Sequence, residues 1–157
     1  SELNSLLDQL QNDEDFPYTV DYWNLDNPNP YEWAIILRGP NDSPYEGGYF
    51  LAKIIFRSDY PNTKPEVYFK TKIYHLNVCE GNGHCCFGSF KGKQISDVLS
   101  CLNTFFINQN PKSPYDTAKR DLYVNDRNKF NNNARKWTKD HATLDNFNNY
   151  TPVSFPK

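Results

Sequence analysis

The segment from residue 73 to residue 87 holds most of the side chains in this chain that could take part in covalent chemistry. A cysteine thiolate accepts an acyl group as a thioester, and a side-chain amide can donate a hydrogen bond to the oxyanion formed during attack. The segment contains both residue types, together with two histidines: Cys79, Cys85, Cys86, Asn77, His75 and His84. These residues predict acyl transfer through a thioester.

Two other kinds of site could use the same side chains. A cysteine protease needs a general base, for which His75 and His84 are available, and an orienting third residue, for which no plausible candidate is present. A zinc site could draw on five of the six side chains, all except Asn77. Their spacing is unlike the usual Cys-x-x-Cys pairs, however, and adjacent ligands fit poorly around one tetrahedral ion. We therefore expect no metal. Cys85 and Cys86 could form a disulfide with each other only with strain, so we expect reduced thiols.

Several motifs, in order along residues 30–140, resemble the ubiquitin-conjugating enzyme family. The tetrapeptide Tyr74-His75-Leu76-Asn77 is similar to that family's Tyr-His-Pro-Asn motif, and the cysteines follow on the loop just beyond it. The other matches lie on both sides of this motif: Trp33, Gly39–Gly48, Phe56, Asp59-Tyr-Pro61, Pro65, Val67, Phe69, Asn110-Pro111, Pro114 and Ala134–Trp137. So many matches in one order are specific, although each alone would be weak.

The resemblance implies which cysteine carries the thioester. In the family, an Asn-Gly pair is followed by two residues and then the reactive cysteine. Asn82-Gly83 with this spacing selects Cys86, and Cys85 is the adjacent alternative.

The resemblance also implies roles for four other residues. Asn77 would stabilise the oxyanion or clamp the active loop, and both roles stay open. The ring of His75 would tie down the neighbouring backbone, and Tyr74 would pack beside the incoming lysine. Ser113 would occupy a gate position above the cysteine, where many relatives carry Asp. Without that carboxylate, we expect slow discharge to lysine, which Ser113→Asp should accelerate.

The chain departs from the family pattern in ways that bear on its partners. Leu76 replaces the motif's Pro, the stretch from Asn77 to Cys86 is one residue longer than usual, and the Trp-Ser-Pro signature after the cysteine is missing. Asn62 stands where ligase-binding members present a bulky apolar residue. We therefore expect a ligase of atypical type, or none.

The elements that must position these residues are those of an α+β domain. Leu3, Leu6, Leu7 and Leu10 predict a short N-terminal helix. Four runs rich in β-branched and aromatic residues, separated by turn-rich stretches, predict a four-stranded antiparallel meander: Tyr18–Trp23, Glu32–Leu37, Tyr49–Arg57 and Glu66–Phe69. An active-site loop with neither helical nor strand periodicity follows. Helices are then predicted over 95–106, 116–124 and 126–141, and Cys101 is expected to be a core thiol in the first of them. Residues 1–142 would form the core domain and 143–157 an extended tail.

Charge is unevenly distributed along the 157 residues. The net charge is −2, but residues 1–37 contain eight acidic residues and no Lys or Arg. Relatives dedicated to ubiquitin usually present basic residues at this end to an acidic surface of the activating enzyme, which would repel Glu2, Asp8 and Asp13. The modifier or its activating enzyme is therefore expected to be unusual, with residues 1–15 as the contact.

Taken together, these patterns predict an enzyme that carries ubiquitin or a ubiquitin-like modifier on Cys86 and transfers it to lysine, in an ATP-dependent pathway. A non-catalytic variant that acts as a binding module is the alternative. We expect a monomer with no cofactor, no nucleic-acid partner and no membrane span, located in the cytoplasm or nucleus. The chain contains no Met, so Ser1 is not the native start, and the presence of a targeting leader stays open.

Overall fold

An antiparallel sheet forms the first half of the domain. The computed structural model describes residues 18–22, 32–59, 62–86, 95–143 and 153–154. The four predicted strands are confirmed and pair in chain order: β1 (Tyr18–Tyr22), β2 (Glu32–Arg38), β3 (Tyr49–Ile55) and β4 (Glu66–Phe69). A fifth strand, β5 (Val153–Ser154), pairs with β1 at the opposite edge from β4. Two residues are too short to show an alternation, so the sequence carried no signal for β5.

Alternation along the strands determines which face of the sheet meets the core. Phe50, Ala52 and Ile54 are buried in β3, and Val67 and Phe69 are buried in β4. The residues on either side of Val67, which are Glu66 and Tyr68, are only partly buried. This period of two is expected for strands with one covered face.

Three described helices follow the sheet: α1 (Ile95–Phe105), α2 (Thr117–Asn125) and α3 (Arg127–His141). Asp116 caps α2, since its carboxylate accepts hydrogen bonds from the backbone N–H groups of Ala118 and Lys119. Asp126 ends α2 and caps α3 in the same way, accepting from the N–H of Lys129. The helix predicted over residues 3–10 lies outside the described residues.

The core lies between the sheet and the helices. Phe105 and Phe106 at the end of α1 contact Phe69 and Phe50 of the sheet, with ring centroids 6.1 and 5.3 Å apart. Phe130, Ala134 and Thr138 form the buried stripe of α3 at the four-residue spacing of a helix face. None of the helices in the described ranges is long and apolar enough to cross a membrane.

Candidate active site

Residues 77–86 form a short hairpin, which we call the cysteine hairpin. Its two limbs are joined by hydrogen bonds from the N–H of Cys86 to the oxygen of Asn77 (2.8 Å) and from the N–H of Cys79 to the oxygen of His84 (2.9 Å). The second limb also pairs with β4, because the N–H of Cys85 donates to Val67 (2.9 Å). These pairings are isolated bridges. No periodicity in the sequence could have indicated so short a pattern.

Gly83 allows the second limb to lie against β4. Its φ is +78°, and a Cβ at this position would lie 1.9 Å from the carbonyl oxygen of Phe69. The Gly83 oxygen accepts a 2.7 Å hydrogen bond from the N–H of Phe69. Only glycine combines this conformation with such a close approach.

The two adjacent cysteines occupy different environments. Cys85 is 3% exposed in the core, and burial raises the pKa of its thiol well above the usual value. Cys86 is half-buried and lines a cavity of about 140 Å³ together with Asn77, Cys101, Thr104, Phe105, Asn108 and Asn110. Successive side chains in an extended segment point to opposite sides, which places Cys86 outward when Cys85 points inward. Cys86 is therefore the accessible thiol of the pair, and it is not in a disulfide.

Cys101 is not the core thiol that we expected. It is half-buried and lines the same cavity as Cys86. The core-facing residues at this end of α1 are Leu102, Phe105 and Phe106, whereas Thr104, three positions after Cys101, is exposed. Cys101 thus lies at the border of the buried stripe.

The side chain of Asn77 joins the cysteine hairpin to residues 110–115, which we call the gate segment. Its Nδ2 donates to the carbonyl oxygens of Asn110 (3.0 Å) and Ser113 (3.1 Å), and its Oδ1 accepts from the N–H of Asn110 (2.8 Å). Both hydrogens of the amide are therefore used. Donation to an oxyanion would require release of one of these bonds, so the described geometry is that of a clamp.

His75 lies beneath the hairpin with both ring nitrogens bonded to backbone. Nδ1 accepts from the N–H of Asn77 (3.0 Å), which leaves the proton on Nε2 to donate to the oxygen of Phe105 (2.8 Å). The ring stacks on Phe105 with centroids 4.0 Å apart. Burial lowers the pKa of His75 to about 3, so the ring is neutral and has no free lone pair for a general base.

Leu76 replaces a proline of the family motif, and a hydrogen bond satisfies the N–H that it introduces. That N–H donates to Oε1 of Gln109 at 2.8 Å. Nε2 of Gln109 donates to the hydroxyl of Tyr45, which itself donates to the carbonyl oxygen of Tyr74 (2.7 and 2.6 Å). A buried polar network thus holds the turn that proline would otherwise rigidify.

Tyr74 does not have the environment that we expected. Its ring is buried against Phe130 and Trp137 of α3, with centroids 5.0 and 5.5 Å away, rather than open to an incoming lysine. The aromatic stripe of α3 offers this ring more apolar contact than the surface does. Ser113, in contrast, is exposed on the gate segment, and its carbonyl oxygen is held by Asn77.

The sequence analysis missed two polar pairs beside the hairpin. Nδ1 of His84 lies 2.6 Å from the hydroxyl of Tyr115. The Lys119 ammonium is buried on α2, pairs with the Glu80 carboxylate and lies over the Tyr74 ring. Lys119 could have been flagged, since it stands three positions before the apolar Leu122 on the same helix face; Tyr115 carried no signal.

The five candidate zinc ligands do not converge. Within the described part of the chain, no three His, Cys, Asp or Glu side chains are grouped so as to hold a metal ion. Both nitrogens of His75 are bonded to backbone, and Cys85 is buried in the core.

Comparisons with known proteins agree with this fold. The profile of the ubiquitin-conjugating enzyme family matches residues 2–138. A Plasmodium yoelii protein classed as a ubiquitin-conjugating enzyme is similar, with 28% identity, a TM-score of 0.76 and coverage of 90% of this chain and 93% of that one. The E2 domain of a Toxoplasma gondii ubiquitin-conjugating enzyme has 25% identity and a TM-score of 0.76 over 90% and 97% of the chains. The chain belongs to the ubiquitin-conjugating enzyme family.

Proposed function

We propose that this protein carries ubiquitin or a ubiquitin-like modifier as a thioester on Cys86 and transfers it to a lysine amine. The observation that carries the proposal is the contrast between Cys86, accessible at the end of the cysteine hairpin, and Cys85, buried beside it. A reactive cysteine must be reachable by a protein tail, and its thiolate must not be disfavoured by burial. Of these two cysteines, Cys86 is the one that is not buried in the core.

The reaction has two steps, and the described residues contribute mainly by positioning. The Cys86 thiolate attacks the activated C-terminal carbonyl of the modifier. The bond between that carbonyl and the activating enzyme then breaks, and the activating enzyme leaves. The neutral amine of a lysine then attacks the thioester carbonyl, the nitrogen gives up a proton to a base, the C–S bond breaks, and an isopeptide bond forms as the thiolate departs. Asn77 and His75 hold the hairpin and the gate segment in place during both steps.

The partners of this reaction are an activating enzyme and a modifier. The acidic residues of segment 1–15 would make the contact with the activating enzyme, and their charge argues for an activating enzyme or a modifier of unusual type. Asn62 is exposed, so the ligase contact that an apolar residue makes in relatives would be weak here. A ligase of atypical type, or none, fits this surface.

A loading assay tests the proposal. The protein is incubated with ATP, a panel of modifiers that includes ubiquitin, and the activating enzyme of each modifier, then analysed on non-reducing gels. We expect one adduct that thiols cleave, that Cys86→Ala abolishes and that Cys85→Ala preserves. Cys101→Ala is the matched control, because Cys101 lines the same cavity. Loss of the adduct in Cys85→Ala alone, or no adduct with any modifier, would contradict the proposal; the second result would favour the binding module.

A further inference from the structure

The alternation of side chains in an extended segment places His84 and Cys86 on the same side of the cysteine hairpin. Cys85 between them points into the core, and its N–H is bonded to Val67. Side chains two positions apart in an extended segment point the same way, with Cα atoms about 6.6 Å apart. His84 is therefore a near neighbour of Cys86 on the accessible side, and its ring is half-exposed.

Tyr115 holds the His84 ring from the gate segment. The hydroxyl of Tyr115 is 2.6 Å from Nδ1 of His84, and the N–H of Tyr115 donates to the oxygen of Leu76. The Tyr68 ring of β4 contacts the other side of the imidazole, with centroids 5.2 Å apart. No described residue bonds Nε2. When Nδ1–H donates to Tyr115, Nε2 presents a free lone pair.

The pKa of the Tyr115 phenol is raised above its usual value. Burial, followed by the negative charges of Cys86, Cys79 and Cys85 when ionised, raises the pKa of Tyr115. The phenol therefore stays neutral at physiological pH and can accept the Nδ1–H bond.

Three carboxylates on the surrounding segments are engaged with other groups. Glu66 accepts a 2.6 Å bond from Arg57, and Asp116 caps α2. Glu80 pairs with the buried Lys119. The gate position itself is occupied by Ser113, which has no carboxylate. Among these described groups, the His84 imidazole is the one with a ring nitrogen, Nε2, that no described residue bonds and that can accept a proton.

We propose that His84, oriented by Tyr115, is the catalytic base that accepts the proton of the acceptor amine. This inference rests on the proposed function. As the amine nitrogen attacks the thioester carbonyl, its proton passes to Nε2 of His84, the C–S bond breaks, and the Cys86 thiolate leaves. The imidazolium then returns the proton to water. The titratable groups that face His84 are Glu66 and Tyr68 from β4 and Tyr115 from the gate segment.

The test follows discharge of a preformed thioester. Ubiquitin carrying a C-terminal mercaptoethanesulfonate thioester is the acyl donor, so loading needs no activating enzyme. After removal of free donor, discharge to free lysine is followed from pH 6 to pH 9. We expect His84→Gln to load normally but to discharge about tenfold or more slowly, and to have a pH–rate profile of different shape from that of the unchanged protein. Tyr115→Phe should discharge at an intermediate rate.

Chemical rescue separates a base from a structural role. Added imidazole should accelerate discharge from His84→Ala and leave the unchanged protein unaffected, whereas a merely structural defect would not respond. His141→Gln, a histidine at the end of α3, is the matched control and should discharge at the unchanged rate. If the thioester forms but both His84 variants discharge like the unchanged protein, the role of His84 is overturned while the proposed function stands. If neither this donor nor any modifier of the loading panel forms a thioester on Cys86, both are overturned.

Discussion

Residues of the same type in this site have different environments and therefore different chemistry. Cys85 and Cys86 have the same side chain, yet one is a buried thiol with a raised pKa and the other faces a cavity. His75 and His84 differ in a similar way, because His75 is bonded to backbone at both nitrogens and His84 has one nitrogen free of described partners. Burial and hydrogen bonding, rather than residue type, decide which group of each kind can react.

At the gate, Ser113→Asp should accelerate discharge to free lysine. Ser113 is exposed, so an aspartate there would remain ionised and could attract and help deprotonate the incoming amine. We expect a severalfold faster single-turnover rate with unchanged loading. Ser113→Asn, which adds similar bulk without charge, is the control. Equal rates for the aspartate variant and the unchanged protein would show that the missing carboxylate does not limit the reaction.

His75 should make the stability of the fold depend on pH. Its pKa is about 3 in the folded protein and about 6.5 when unfolded, so between these values the unfolded chain binds more protons. Stability from this group is complete above pH 6.5 and falls by about 1.4 kcal/mol for each unit below it. Urea unfolding at pH 7.5, 6.5, 5.5 and 4.5 measures the slope. His75→Gln should start less stable and show a shallower slope; parallel slopes would contradict this assignment.

At the scale of elements, the cysteine hairpin is anchored from three directions. Hydrogen bonds join its second limb to β4, Asn77 joins its base to the gate segment, and Glu80 joins its tip to Lys119 of α2. Lys119 is 5% exposed and lies 4.6 Å from the Tyr74 ring centroid and 5.3 Å from that of Trp137.

Removing one partner of the Glu80–Lys119 pair should cost more than removing both. Glu80→Gln leaves the buried ammonium without its counterion, because no other described polar atom bonds it. We expect a loss of about 1–2 kcal/mol, less than for a fully buried pair because Glu80 is half-exposed. Lys119→Met should be close to neutral, since the thioether fits the apolar surroundings.

A double-mutant cycle measured by chemical unfolding tests this coupling. Combining Glu80→Gln with Lys119→Met should restore the stability of the single Met variant. Additive losses in the double variant would mean that the pair is not coupled.

At the scale of the whole molecule, the charge asymmetry should govern the encounter with the activating enzyme. Because residues 1–37 carry eight acidic and no basic side chains, loading by a ubiquitin-activating enzyme should be slow and should quicken as salt screens the repulsion. Asp8→Lys with Asp13→Lys should raise the loading rate severalfold at low salt. Asp121→Lys with Asp140→Lys, at exposed positions on α2 and α3, is the matched control. Equal effects of the two double variants would point to net charge rather than to a contact by this segment.

The sequence by itself determined the family and the order of the elements, and it predicted which cysteine carries the modifier. Long periodic runs placed β1 to β4 and all three described helices within a few residues, because alternation and helical spacing are properties of consecutive residues. The motif around Tyr74 and the Asn82-Gly83 spacing pointed to Cys86 for a similar reason, since both are local patterns.

Only the tertiary structure decided what each side chain at the site contacts. Tyr74 packs into the core, and Cys101 faces the cavity of Cys86. The side-chain amide of Asn77 donates hydrogen bonds to Asn110 and Ser113, which are more than thirty positions away. The pairs His84–Tyr115 and Glu80–Lys119 likewise join distant segments. Such contacts depend on how the hairpin, α1 and α2 pack together, and spacing along one chain carries no information about that packing.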